Sequence, residues 1–246
     1  MRIQVDPARP SGRILLQDAV WQSYVDLEDP EHLHFDYTQR IADTVDTVLP
    51  RPRPVRAVHL GGGALTLPRW LTATRPGSTS TVLELDPEVV GAAMALVHVP
   101  AATVRTGDAR AGLEGLRDHT ADLVIGDAFD GRVVPPHLLT AGCVAEVVRV
   151  LRPGGLYVLN LIDDAPFHRL RGALATVRSA LGHVGVLAAP QLLAQGMSGN
   201  AVVVGCDEPV DWPAIAARAA HRAERPAVLG EVGTAEWCAG AAVLVD

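Results

Sequence analysis

A chain of 246 residues with 48% apolar residues has material for one large α/β domain and a small appendage, not for two full domains. Its net charge of −7 argues against a nucleic-acid partner, whose phosphates need a basic face, and suits a cationic ligand. All 21 basic residues are Arg, which excludes a lysine Schiff base and the lysine of a phosphate-binding loop.

Aromatics make up only 4%, so the core must be built mainly from Val, Leu and Ala. Cys143, Cys206 and Cys238 are few, odd in number and far apart, which fits buried thiols better than zinc ligands or disulfides. The nine histidines are scattered and read as surface or structural residues, so no metal is expected. There is no apolar run of the roughly eighteen residues a membrane span needs, and the first residues lack a signal-peptide core. The expectation is a soluble cytoplasmic protein with no membrane partner.

Along the chain, residues 13–18 and 21–26 are short, β-rich and separated by a turn-like Asp18-Ala19, as in a hairpin. Asp29-Pro30-Glu31 predicts a helix start, with Pro in its first turn and acids near its positive end, running through Phe35 to Val48. The proline-rich stretch 50–54 reads as a stiff linker. It divides a β-hairpin and helix over 1–50 from a Rossmann-like, nucleoside-binding catalytic domain over 55–206; a C-terminal helix and tail occupy 207–246.

The middle segment alternates. Strand-like runs fall near 55–60, 80–85, 102–106, 121–126, 155–162, 184–189 and 200–205, with helix-like segments near 65–74, 87–97, 136–151 and 166–181. Short apolar strands spaced by amphipathic helices predict a doubly wound, mostly parallel sheet covered on both faces. Residues 190–199 read as a loop, so the last two strands should close the sheet as an antiparallel hairpin. Seven strands ending this way is a class I methyltransferase-like layout.

The first of these strands runs into Gly61, Gly62 and Gly63 and re-enters as a helix, which brings bare backbone and free N–H groups close to a ligand. In such sheets ligands lie outside the carboxyl ends of the strands. Acids close four successive strands there: Glu84-Leu85-Asp86, Gly107-Asp108-Ala109, Asp127 with Asp130, and Asp163-Asp164. An acid at the tip of the second strand is where ribose hydroxyls are held. Asp108 is the candidate acceptor for an adenine amino group, and Asp127 and Asp130 for a sulfonium or protonated amine.

These residues, with Arg152-Pro153-Gly154-Gly155, resemble the spermidine synthase family of aminopropyltransferases over roughly residues 13–162. The stretch from Leu15 to Gln22 looks like that family's hairpin, and Phe35-Asp36-Tyr37 like its tyrosine motif. The resemblance implies a transferase of polyamine biosynthesis that moves an aminopropyl group from decarboxylated S-adenosylmethionine to an amine such as putrescine, leaving methylthioadenosine. It implies that Gly61, Gly62, Gly63, Glu84, Leu85, Asp108 and Ala109 bind the nucleoside. Gln22 and Tyr37 would line the donor and amine pocket, Tyr37 with a catalytic part. Asp127 would deprotonate the attacking amine, and Asp130 would bind the aminopropyl nitrogen. A homodimer is left open.

Three departures bear on the amine side. Ala64 replaces an acid after the glycines, Thr38 replaces a glutamine after the tyrosine, and residues 195–200 lack the aromatic and acidic groups expected around a polyamine. Loss of the acid at 64 suggests room for the carboxylate of intact S-adenosylmethionine. A methyltransferase on the same fold and a non-catalytic nucleoside-binding homologue are therefore the alternatives.

Overall fold

The computed structural model describes residues 1–17 and 20–246; the turn expected at Asp18 and Ala19 lies outside them. Strands β1 (Arg2–Asp6), β2 (Arg9–Gln17) and β3 (Val20–Asp26) form a three-stranded antiparallel sheet in that order. The β2–β3 pair is the expected hairpin. β1 is an addition to it, and its alternation is hidden because Ile3 and Val5 face solvent, 42% and 50% exposed.

Helix α1 (Asp36–Val48) begins well after the predicted start at Asp29. The intervening segment is tied to the hairpin instead: Asp26 accepts the amides of Glu28 and Asp29, and Arg9 pairs with both Asp26 and Asp29. Strands and helices then alternate. They run β4 (Arg56–Leu60), α2 (Thr66–Thr74), β5 (Thr79–Glu84), α3 (Pro87–Leu96), β6 (Ala102–Thr106), α4 (Ala109–Glu114) and β7 (Ala121–Gly126). A 3₁₀ turn (Pro136–Leu138) precedes α5 (Ala141–Val150), β8 (Leu151–Asp163), α6 (His168–Ala180) and β9 (His183–Ala188). The chain ends in α7 (Pro190–Gln195), β10 (Gly199–Cys206), α8 (Trp212–Ala219), β11 (Ala227–Leu229) and α9 (Glu231–Trp237).

The large sheet has the order β11-β9-β10-β8-β7-β4-β5-β6. β8, β7, β4, β5 and β6 are parallel, and β10 runs antiparallel to both β8 and β9. The seven expected strands form the mostly parallel sheet, and β11 adds an eighth, antiparallel to β9. Between the last two expected strands the predicted loop is in part the short helix α7, with Pro190 in its first turn and Gly196 at φ 74° closing it. The expected helix over 136–151 divides into the 3₁₀ turn and α5, because Thr140 caps the latter through the Cys143 amide.

Both faces of the sheet are covered. Val124, Tyr157, Leu159 and Val203 pack under α5 and α6, whereas Leu123, Ile125, Val158 and Val202 pack under α1, α2 and α8. Alternate residues thus serve two cores, each buried Val or Leu contributing about 1.5–3 kcal/mol. A third cluster joins Leu15 and Val25 of the small sheet to Ala64, Leu65, Val82 and Ala93. That contact sets the hairpin over the carboxyl end of β4, where the site lies.

Candidate functional site

The site is built where β4, β5, β6 and β7 end. Gly61 has φ +96°, and a Cβ there would lie 2.4 Å from the carbonyl oxygen of Asp127, so only glycine lets the turn pass this close. The strand tips stay laced together, Gly61 donating to the Leu83 carbonyl and Asp127 to that of Leu60, each at 2.8 Å. Gly63, at φ +47°, faces Ser23 of β3, whose hydroxyl accepts the Ala64 amide at 3.0 Å. The amides of Gly61, Gly62, Ala64 and Leu65 are all bonded within the protein. Four amides of the turn are therefore spoken for, and the free N–H groups expected at the helix start fall to Thr66 and Leu67 of α2.

Glu84 is one reason. Its carboxylate accepts the amides of Gly62 (2.7 Å) and Asp86 (3.0 Å), one on each oxygen. Each oxygen keeps a lone pair for a ligand hydroxyl. Asp108 caps α4 through the Ala111 amide (2.9 Å), and its other oxygen meets His137 Nε2 at 2.8 Å. Burial opposes its ionisation, but the Ala111 amide and His137 outweigh that and hold Asp108 below the usual carboxylate range.

Asp127 has the most perturbed carboxyl of the cleft. Burial pushes it up to about 7, although Asn160 Nδ2 donates to one oxygen at 2.8 Å and the Tyr37 hydroxyl to the other at 3.1 Å. Burial and the same Asp127 raise the Tyr37 phenol well above its ordinary value. Asn160 is in turn held by Asn200, whose amide donates to it at 3.1 Å, and the Asn200 carbonyl accepts from the buried Arg40 at 3.0 Å. Residues from α1, β7, β8 and β10 so converge on one carboxyl.

These groups face a cleft of about 600 Å³. Gln22, Tyr37, Gly61, Gly62, Gly63, Glu84, Leu85, Asp108, Ala109, Asp127 and Asp130 all line it. Asp130 stands at the exposed end of the loop after β7, where its backbone forms an isolated bridge with Val133. The fourth pair of acids does not join them. Asp163 caps α6 through the Leu170 amide, and Arg169 binds it and Asp164.

Ala64 is also elsewhere: it is fully buried between the hairpin and β5 and does not line the cleft. It opens no room for a donor's carboxylate. Sequence reading missed His34, His59 and His137, which line the cleft, and Asn160 and Asn200, which support Asp127. A polar residue inside the apolar run of β8 was the available signal for Asn160. His59 stays neutral, since burial lowers it to about 3, and meets the Ser80 hydroxyl at 3.1 Å.

The comparisons with known proteins bear on this arrangement. No family model matches the chain. A probable spermidine synthase from Corynebacterium glutamicum superposes with a TM-score of 0.92 and 27% identity, over 99% of this chain and 92% of that one. Over nearly its whole length the chain is similar to that probable spermidine synthase. A polyamine aminopropyltransferase of Vibrio vulnificus is 29% identical over 184 residues, 72% of this chain. The chain spans 58% of that curated relative's length. Two further structures share the fold at 16% identity. One is a spermidine synthase bound to the transition-state analogue AdoDATO (TM-score 0.61, 85% of this chain, 70% of that one). The other is human methyltransferase-like protein 13 with SAH (TM-score 0.62, 75% and 89%). The likeness to the Corynebacterium glutamicum structure thus spans the hairpin as well as the sheet.

Proposed function

We propose that the chain is an aminopropyltransferase whose donor is decarboxylated S-adenosylmethionine and whose acceptor is a small amine. The observation that carries this reading is Asp127, a buried carboxyl near neutral pKa, held by Tyr37 and Asn160 beside a nucleoside-sized cleft. An amine that attacks carbon must lose a proton, which such a carboxyl can take; the likeness to polyamine aminopropyltransferases supports an aminopropyl rather than a methyl group as the one transferred.

In this reading Glu84 accepts the two ribose hydroxyls and Asp108 the adenine amino group, against Leu85 and Ala109. Asp130 pairs with the donor's ammonium, and Gln22 lines the donor's path. The amine lone pair forms the C–N bond at the carbon attached to sulfur. The C–S bond breaks with its electron pair passing to sulfur, so the sulfonium becomes the neutral thioether of methylthioadenosine. Asp127 accepts the amine's proton. Alignment supplies most of the rate, since no covalent intermediate is needed.

Incubation with decarboxylated donor and a panel of amines tests the reading, with methylthioadenosine release as the signal. Thermal shift with methylthioadenosine, S-adenosylmethionine and its decarboxylated form ranks the ligands independently of turnover. Methyl transfer from intact S-adenosylmethionine, without aminopropyl transfer, would overturn it.

A further inference from the structure

We propose that Asn200 is a positioning residue of this site, fixing which way round the Asn160 amide faces Asp127. The inference rests on the aminopropyltransferase reading above for the step that Asp127 performs. The two amides occupy places that the strand period gives to apolar side chains. Leu156 and Val158 of β8 and Val202 and Val204 of β10 belong to the core under α1. A period of two puts Asn160 and Asn200 on that same face. Asn160 is 1% exposed, Asn200 is half-buried, and neither lines the cleft. An amide in such a layer costs stability unless it is bonded, and the bonds of these two lead to Asp127.

The chain of bonds has a direction. Asn160 Nδ2 donates to one Asp127 oxygen at 2.8 Å, and Asn160 Oδ1 accepts from Asn200 Nδ2 at 3.1 Å. An amide side chain carries N–H donors on one branch and a carbonyl acceptor on the other. Turned over, Asn160 would present its carbonyl oxygen to Asp127, which suits the protonated acid and repels the carboxylate. The Asn200 amide opposes that turn, because it would then meet the Asn160 NH2 group donor to donor. Asn200 is itself anchored. Its backbone carbonyl accepts from Arg40 Nη1 at 3.0 Å, and Arg40, 3% exposed, is ion-paired with Glu224.

The consequence falls on the base. In the proposed step Asp127 must start ionised to take the amine's proton, and burial opposes that. A donor held in place favours the ionised form. The other titratable groups around this carboxyl are Tyr37 on α1, His59 on β4, Glu84 on β5 and Asp130 on its own loop, all lining the cleft. Tyr37 donates to the second Asp127 oxygen, and the charge of Glu84 pushes Asp127 up. A change at Asn200 leaves all four in place.

The test is a carbon-13 NMR titration of the whole chain carrying carboxyl-labelled aspartate, the Asp127 signal being assigned by its loss in Asp127→Asn. Asn160→Ala is expected to raise the Asp127 midpoint by about one unit, and Asn200→Ala by about half a unit. The double variant should titrate like Asn160→Ala alone, because Asn200 acts through Asn160. The acid limb of kcat/KM, read by methylthioadenosine release, should move with the midpoint, while methylthioadenosine affinity stays that of the parent. If Asn200→Ala does not fold, Asn200→Leu, closer to Asn in volume, takes its place. A merely structural role would lower the melting temperature and leave midpoint and limb where they are. That result overturns the inference, as does a double variant in which the two shifts add. If the midpoints move as expected but no amine is consumed, the inference stands for the Asp127 proton and the aminopropyltransferase reading fails.

Discussion

At Asp127 the same burial that makes a good base also makes a costly ion. The carboxyl is raised from its ordinary 3.8 to about 7, so in the folded protein it holds its proton through mildly acidic pH. Between about pH 4 and 7 the native state therefore binds more protons than the unfolded one, and this residue's effect on stability becomes less favourable as pH rises. Above about pH 8, where both states are ionised, the penalty is constant. Asp127→Asn removes it, and its melting temperature should exceed that of the parent at pH 8 but not at pH 4. The amide still pairs with Asn160, and Tyr37 can turn its hydroxyl to accept. Turnover should fall by roughly 10²–10⁴-fold, the usual loss for a general base, with methylthioadenosine affinity unchanged. For the parent, the acid limb of kcat/KM should be half-maximal near pH 7 and level off near pH 8; a flat profile from pH 5 to 8 would remove Asp127 as the base. Glu84→Ala is a binding change instead. In the proposed complex two ribose hydroxyls lose a charged acceptor, and calorimetry with methylthioadenosine should show about 1.5–3 kcal/mol less affinity.

At the scale of elements, much was legible because the sheet obeys simple periodicity. β4 to β10 are read within a residue or two by their apolar runs, except that β8 starts earlier. The missed elements lack that signal. α4 is six residues with Gly112 inside, where a Cβ would lie 2.7 Å from Leu83, so close packing and not propensity chose the residue. β11 is three half-buried residues that pair only once β9 exists. In the site, charged residues stood out and neutral amides did not: Asn160 lies inside the apolar run 156–162 of β8, and Asn200 precedes the apolar run 201–204 of β10. Asn160→Ala should move the acid limb of the pH profile up by about one unit, since it removes a donor that favours the ionised carboxyl. Ala64, chosen by motif alone, proves to be packing between elements. Ala64→Asp should cost more than about 3 kcal/mol by burying an unpaired charge, seen as a lower urea midpoint, and should not alter the preference between donors in the folded fraction.

Across the whole molecule, the cleft is assembled from segments far apart in sequence, and its support reaches the last residues. The Ala141 amide donates to the Leu244 carbonyl at 2.8 Å, the Leu244 amide to the Thr176 hydroxyl at 2.9 Å, and Asp246 accepts from Thr140 at 2.8 Å. Deleting residues 241–246 should lower stability by roughly 3 kcal/mol, from three hydrogen bonds and a half-buried Leu. Methylthioadenosine affinity should not change, because none of these residues lines the cleft.

The hydrogen bond from Tyr37 to Asp127 joins positions 90 residues apart, and the ion pair from Arg40 to Glu224 joins positions 184 apart. On a ribosome adding about 5–20 residues per second, α1 waits roughly five to twenty seconds for Asp127 to be made and longer for Glu224. Throughout that wait the part of α1 that packs on β8, β10 and α8 has nothing to cover it. That face of α1 is thus open apolar surface on the nascent chain, and ribosome-bound intermediates ending before β8 should bind a chaperone more than those that include β10.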